Sequence, residues 1–180
     1  MKIIEFNHFI WKKSTQNTET SAVQNQNNKS PKTTTWDPIT DKRILQLDPK
    51  VQQPATNFIN DTESELNVQL RVVQGYRSIE EQNKLYAQGR TEPGNKVTNA
   101  RGGESYHNYG LAIDVVRTED GKPDWNKPIT QDIADIGIQQ GFSWGGSWSS
   151  FKDYPHFEMS FGQSIKTLMC DIKKKIWEKK

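Results

Sequence analysis

The chain contains three histidines, and two of them stand beside carboxylates that interrupt apolar stretches. In SYHNYGLAIDVV, residues 105–116, His107 precedes a strand-like run and Asp114 breaks it. Alternation along that run puts Ala112, Asp114 and Val116 on one face and Leu111, Ile113 and Val115 on the other. A carboxylate in an apolar strand is costly unless a hydrogen-bonding partner or a cation meets it. Downstream, DYPHFEM supplies His156, with Asp153 three residues before it and Glu158 two after. An extended backbone there puts His156 and Glu158 on a shared face. Two imidazoles and one carboxylate make a zinc set with an open fourth position, as expected of a catalytic rather than a structural metal. Zinc in such a set lowers the pKa of its bound water to about 7. A second carboxylate near that water can act as general base and then protonate a leaving amine, a role open to Asp153 or Glu158. Arg77, in GYRS, is a candidate to stabilise a developing oxyanion. The single cysteine, Cys170, excludes an internal disulfide and every multi-cysteine metal site, so the donors must be nitrogen and oxygen.

The elements that would position these residues are legible as periodicities. DPKVQQPATNFIN carries Val51, Ala55, Phe58 and Ile59 at helical spacing, with Pro54 expected to delay or kink the helix. Leu66, Val68, Leu70 and Val72 alternate with polar residues, which predicts a half-buried strand ending at Gly75. Ser78 and Glu81 have the spacing of a capping box for a helix that contains Gln82 and stops at Gly89. A polar, glycine-rich loop spans 90–104, and LAIDVV is a second strand. Ile129, Ile133 and Ile136 outline a further helix stopped by Gly141; a third strand is expected at His156–Met159. Ile165, Leu168, Met169, Ile172 and Ile176 make one stripe of a closing helix. Strands and helices in this order, without parallel crossovers, predict an α+β fold: a small antiparallel sheet flanked by helices.

Length bounds the organisation: 180 residues make one domain, or one domain with an arm. The opening segment MKIIEFNHFIWKK, which holds His8, lacks the apolar core and cleavage site of a secretory signal. A polar tract follows, so residues 1–35 are expected to be a flexible arm and linker and 36–180 the folded domain. That tract accounts for part of the low mean hydropathy of −0.89. No run is long and apolar enough to span a membrane. The last 20 residues hold six lysines against Asp171 and Glu178. That is more in keeping with a solvated helix face than with attachment to anionic wall polymers or lipopolysaccharide. A whole-chain charge of only +2 speaks against nucleic acid.

Residues 41–161 resemble the zinc peptidases related to bacterial L-alanyl-D-glutamate endopeptidases and D-Ala-D-Ala carboxypeptidases. The matching motifs are GYRS, EEQNKLYAQGRT, the Ser105–Asp114 pattern S-x-H-x-x-G-x-A-x-D, GFSWGGSW and D-x-P-H-F-E, in the family's order. The resemblance implies the α+β fold shared with the Hedgehog signalling domain. It also implies one zinc ion held by His107, Asp114 and His156, Asp153 as catalytic carboxylate and Arg77 as oxyanion stabiliser. Glu158 then becomes an orienting neighbour of the metal ligands, while Ser105, Gln82, Trp144 and Trp148 are candidates for substrate contact or support. The implied activity is hydrolysis of the L-Ala–D-Glu bond of the peptidoglycan stem peptide, with a D,D- or L,D-carboxypeptidase and an inactive wall-binding module as alternatives. Such an enzyme acts in the wall or periplasm of a target cell, is expected to be a monomer, and without a signal peptide would be delivered as a phage lysin or an injected toxin, the latter with an immunity protein as partner.

Overall fold

Residues 32–177 are described in the computed structural model of the chain. The expected arm, with His8, lies outside the described residues up to residue 31, as do the side chains of most lysines at the end of the chain. Two helices open the described part, each begun by an aspartate and a proline. Asp37 accepts from the Ile39 and Thr40 amides to start α1 (Pro38–Ile44), and Asp48 accepts from Lys50 to start α2 (Pro49–Leu66). In both, proline occupies the first helical position, where its missing N–H is no loss. Pro54 lies in the second turn of α2 without delaying the helix, contrary to the sequence expectation. A proline there forfeits only a bond near the helix end, and Val51, Ala55, Phe58 and Ile59 bury the face that stabilises it.

The sequence pattern also predicts a strand from Leu66, but α2 extends through Leu66 and is ended by Asn67 in the left-handed conformation, φ 53°. Strand β1 is Leu70–Gln74. The alternating residues 66–72 thus divide between a helix end, a turn and a strand, because the apolar positions of a helix terminus can mimic a period of two. Helix α3 (Ile79–Ala87) carries the expected capping box, with Ser78 and Glu81 each bonding the other's backbone. Strand β2 (Ala112–Glu119) follows, then β3 (Lys122–Pro123), α4 (Gln131–Gln139), β4 (Ser143–Trp144), β5 (His156–Glu158) and α5 (Ile165–Trp177). The short β3 and β4 and the helix α1 carry no periodic signal of their own.

The sheet has the order β1-β2-β5-β4, antiparallel throughout, with β3 as a hairpin partner of β2. One face is the core, where Ile113, Val115 and Phe157 meet Phe58 and Ile59 of α2 and Ile133 of α4; the Phe58 and Phe157 rings lie 4.8 Å apart. The other face carries Ala112, Asp114 and Val116 from β2 and His156 and Glu158 from β5. The register pairs Asp114 with His156 and Ala112 with Glu158.

Helix α1 is tied to the sheet by one buried carboxylate. Besides capping α1, Asp37 takes the Thr40 hydroxyl at 2.7 Å and the Arg71 Nε and Nη2 at 2.7 and 2.9 Å. Thr40 in turn accepts from the Val72 amide. Burial works to raise the Asp37 carboxyl, and the Arg71 and Thr40 bonds reverse it, holding it below the ordinary value. Substituting Asp37→Ala strands a buried guanidinium and removes a cap, so the protein is expected to lose about 3 kcal/mol of stability in denaturant unfolding.

Candidate metal centre and active site

Each residue of the site is carried by a different local device. His107 lies on a single 3-10 turn, Tyr106–Tyr109, whose first residue is preceded by the capping hydroxyl of Ser105. Gly110 ends that turn at φ 67°, and a side chain there would meet the Asp48 backbone. Asp114 sits in β2 and His156 opens β5, paired directly across from it. Arg77 occupies the junction between β1 and α3, where its amide donates to the His107 carbonyl at 3.0 Å. Asn108 locks the same junction: its side chain donates to the Arg77 carbonyl at 2.9 Å and accepts from the Gly103 amide at 2.9 Å. Asn108 was not singled out in the sequence. Its one cue is a polar residue wedged between His107 and an apolar strand.

The two imidazoles converge on one oxygen. His107 Nε2 lies 3.2 Å and His156 Nδ1 3.0 Å from Asp114 Oδ1. The remaining ring nitrogens are spoken for: His107 Nδ1 donates to the Gly75 carbonyl at 2.8 Å, and His156 Nε2 donates to Glu158 at 3.0 Å. The Gly75 carbonyl fixes the His107 tautomer with its Nε2 lone pair toward the carboxylate. His156, set between two carboxylates, instead holds a proton toward Asp114 until a metal ion takes its place. Lone pairs and an anion in one place repel unless a cation lies between them, so this donor set is built for a proton or a metal ion. His107, Asp114 and His156 offer ligand atoms that all lie within 4.8 Å of one another, and nitrogen and oxygen donors in this number fit a tetrahedral ion with one position open.

The charges around the triad are graded. Burial works to raise the Asp114 carboxyl, but the charges and hydrogen bonds of His107 and His156 overcome it and hold it far below the ordinary range. For His156 burial favours the neutral ring, yet its bonds to Asp114 and Glu158 win and raise it to about 9. Asp153 is shifted upward, first by burial and then by the neighbouring Asp114 charge. Arg77 is lowered by burial, against the opposing pull of Asp114, Glu81 and Asp153. Its Nη2 lies 3.6 Å from Asp114 Oδ2 and its Nη1 donates to Gln82 at 2.9 Å. Its Nε is buried with no partner among the described residues.

A groove of about 500 Å³ runs over this centre. Arg77, Ser105, His107, Asp114, Asp153, His156, Glu158 and Trp148 all line it. Gln82 and Trp144 do not. Gln82 is fully buried behind Arg77, and its amide donates to the Ala100 carbonyl, fastening the groove's 98–100 wall. Trp144 belongs to the core, 6% exposed, and its indole donates to the Tyr154 carbonyl at 2.8 Å. Gly145 and Gly146 explain the WGG motif better than a groove wall does. A side chain at Gly145 would lie 2.6 Å from the Asp153 carbonyl, and one at Gly146 would overlap the Trp144 indole. Lining residues that the sequence reading did not place at the site include Glu104, Phe151 and Ile165. Ile165 reaches the site because the Tyr106 hydroxyl pins the Gln163 carbonyl at 2.8 Å, just ahead of α5.

Comparisons with known proteins converge on this region. A family profile described as D-alanyl-D-alanine carboxypeptidase matches residues 98–159. The chain is 44% identical over 123 residues to the peptidoglycan L-alanyl-D-glutamate endopeptidase CwlK of Bacillus subtilis (strain 168), covering 63% of this chain and 73% of that protein. The fold is shared with the crystal structure of the Serratia marcescens L-Ala D-Glu endopeptidase ChiX, with a TM-score of 0.54 at 23% identity over 72% of this chain and 92% of that one.

The graded charges predict a pH response of the metal-stripped protein. His156, raised to about 9 from 6.5, contributes stability that is complete below pH 6.5 and is lost as pH rises through 9. Asp114, lowered, contributes stability that is present above pH 3.8 and lost as pH falls through its folded value. Thermal melts of chelator-treated protein should therefore decline between pH 6.5 and 9.5, and His156→Gln should flatten that decline.

Proposed function

The chain belongs to the metallopeptidase family that holds the L-alanyl-D-glutamate endopeptidases and the D-alanyl-D-alanine carboxypeptidases, and on that premise we propose that it is a zinc-dependent peptidoglycan hydrolase cutting the L-Ala–D-Glu bond of the stem peptide. The observation that carries the choice of an internal bond is the charge of the groove. A carboxypeptidase requires a free cation to receive the substrate's terminal carboxylate. Arg77 is the only arginine or lysine among the described residues that line the groove, and Asp114 and Gln82 already engage it. Glu104, Asp153 and Glu158 make part of the remaining wall acidic, so the wall offers no second cation to anchor a chain-terminal carboxylate.

His107 would hold the ion through Nε2, His156 through Nδ1 and Asp114 through its carboxylate, with the Gly75 carbonyl and Glu158 orienting the two rings. Zinc, when bound, acidifies water and polarises the scissile carbonyl. Asp153, raised by burial and by Asp114, is tuned toward the range in which a carboxylate takes a proton from water and passes it to the departing amine. Of the two carboxylates open to that role from sequence, Glu158 is committed to the His156 ring. Arg77 remains cationic at any working pH and lines the groove, so its guanidinium can face the developing oxyanion. The site of action is the wall or periplasm, where the polymer lies.

Mass spectrometry of purified peptidoglycan after digestion tests the bond and the metal together. New peptides beginning with D-Glu, formed only without chelator, are the expected products; release of free D-alanine would overturn the endopeptidase assignment. Asp153→Asn is expected to keep its zinc and its fold while kcat falls by about 10³. Retention of the full rate would remove Asp153 from the base role.

A further inference from the structure

A second depression opens beside the segment 153–156, which also borders the metal centre. It has a volume of about 260 Å³ and is floored by Val116, Ile129 and Pro155, with Trp125 and Tyr154 at its sides. Both aromatics stand open to solvent, Trp125 at 67% and Tyr154 at 46% exposure. Nothing in the packing of the fold requires Trp125 there, but its loop is well fastened. Asp124 donates its amide to the Arg117 carbonyl and accepts the Asn126 amide at 3.0 Å. Lys127 closes the turn through Glu119 at 2.9 Å and Asp124 at 3.7 Å. An indole presented to water on a pinned turn, beside a small apolar floor, is a platform rather than a loose surface residue.

Its position relates it to the catalytic groove. Val116 lies two residues along β2 from Asp114 on the same face, a separation of about 6.5 Å. The two depressions share one wall, the segment 153–156: Asp153 and His156 line the groove, while Tyr154 and Pro155 line the second depression. Under the reading proposed above, on which this inference rests, the scissile carbonyl belongs to the first residue of a stem whose amino end is acylated by the lactyl ether of an N-acetylated sugar. Six covalent bonds separate that carbonyl from the sugar ring, the span of two residues, or about 7 Å. The substrate's own covalent structure therefore brings a sugar to the distance at which the second depression lies.

We propose that the Trp125–Tyr154 depression is a glycan subsite that binds the N-acetylhexosamine ring carrying the stem peptide. The indole stacks on the apolar C–H face of the sugar, and the floor of Val116, Ile129 and Pro155 receives the acetamido methyl. Asn126 and Lys127 at the rim supply donors for ring hydroxyls.

The test compares two substrates and one ligand. Trp125→Ala is expected to raise KM about tenfold on a disaccharide-linked stem peptide, with kcat unchanged. Its turnover of the same stem peptide without sugar should match the wild type, and Trp125→Phe should restore most of the loss. Titration of the zinc-loaded protein with N-acetylglucosaminyl-N-acetylmuramic acid, lacking any peptide, should shift the indole N–H resonance of Trp125. Equal losses on both substrates, no loss on either, or an unmoved Trp125 resonance would overturn the subsite. A wild-type protein that cuts neither substrate would overturn the assignment of the bond instead, and the disaccharide titration would still decide the subsite.

Discussion

The structure depends on the meeting of two imidazole rings at a single carboxylate oxygen, Asp114 Oδ1. That meeting is unfavourable without a cation and cannot be left to flexible side chains. The ladder between β2 and β5 sets Asp114 against His156, and the turn ahead of β2 swings His107 over the same strand end. A backbone carbonyl and a carboxylate then fix each ring from behind. Rigid strands supply two of the three groups, so the geometry is held by the same hydrogen bonds that hold the sheet. The core beneath, with Ile113 and Phe157 alternating against Asp114 and His156, prevents either strand from slipping, because a shift of one residue would bury the site and expose the core.

The same arrangement separates the two carboxylates of the site. Asp114 has both histidines against it, and their charges and hydrogen bonds hold it in the ionised form. Asp153 lies in the field of that fixed negative charge and is partly desolvated, so its proton is held more tightly. Two aspartates on neighbouring elements are thereby tuned in opposite directions, one suited to hold a cation and one suited to exchange a proton. Arg77 completes the balance. It is close enough to Asp114 to remain charged despite burial, and is steered by Gln82 so that one donor stays uncommitted.

Much of this was legible in the sequence because the chemistry violates local pattern. Asp114 in an apolar strand and two histidines beside strand-like runs are conspicuous, and the alternation of β2 gave the face of each residue correctly. The capping box of Ser78 and Glu81 was equally plain. What escaped detection depends on contacts between distant segments. Asn108 acts through backbone groups that the fold brings together, and nothing in its neighbours' types distinguishes it from a surface amide. Trp144 and Trp148 share one motif, yet one fills the core and the other lines the groove, a distinction set by the turn at Gly145 and Gly146. The helix–strand boundary near Leu66 was misplaced because a short alternation fits the end of a helix as well as a strand.

The WGG segment shows how core packing reaches the chemistry. Trp144 packs on Phe157 in the core and holds the Tyr154 carbonyl through its indole N–H. Gly145 accepts the Asp153 amide at 3.1 Å, and its missing side chain is what lets the Asp153 backbone approach. One short stretch, 153–156, therefore carries the proposed base, an aromatic of the second depression and a candidate metal ligand in succession. It is a loop by its hydrogen bonding, but it is fastened at Asp153 to Gly145, at Tyr154 to Trp144 and at Pro155 to the Val115 amide. A base on a free loop would wander by more than proton transfer tolerates. Fastened at three consecutive residues to core elements, Asp153 gains the precision of the strands while remaining open to the groove.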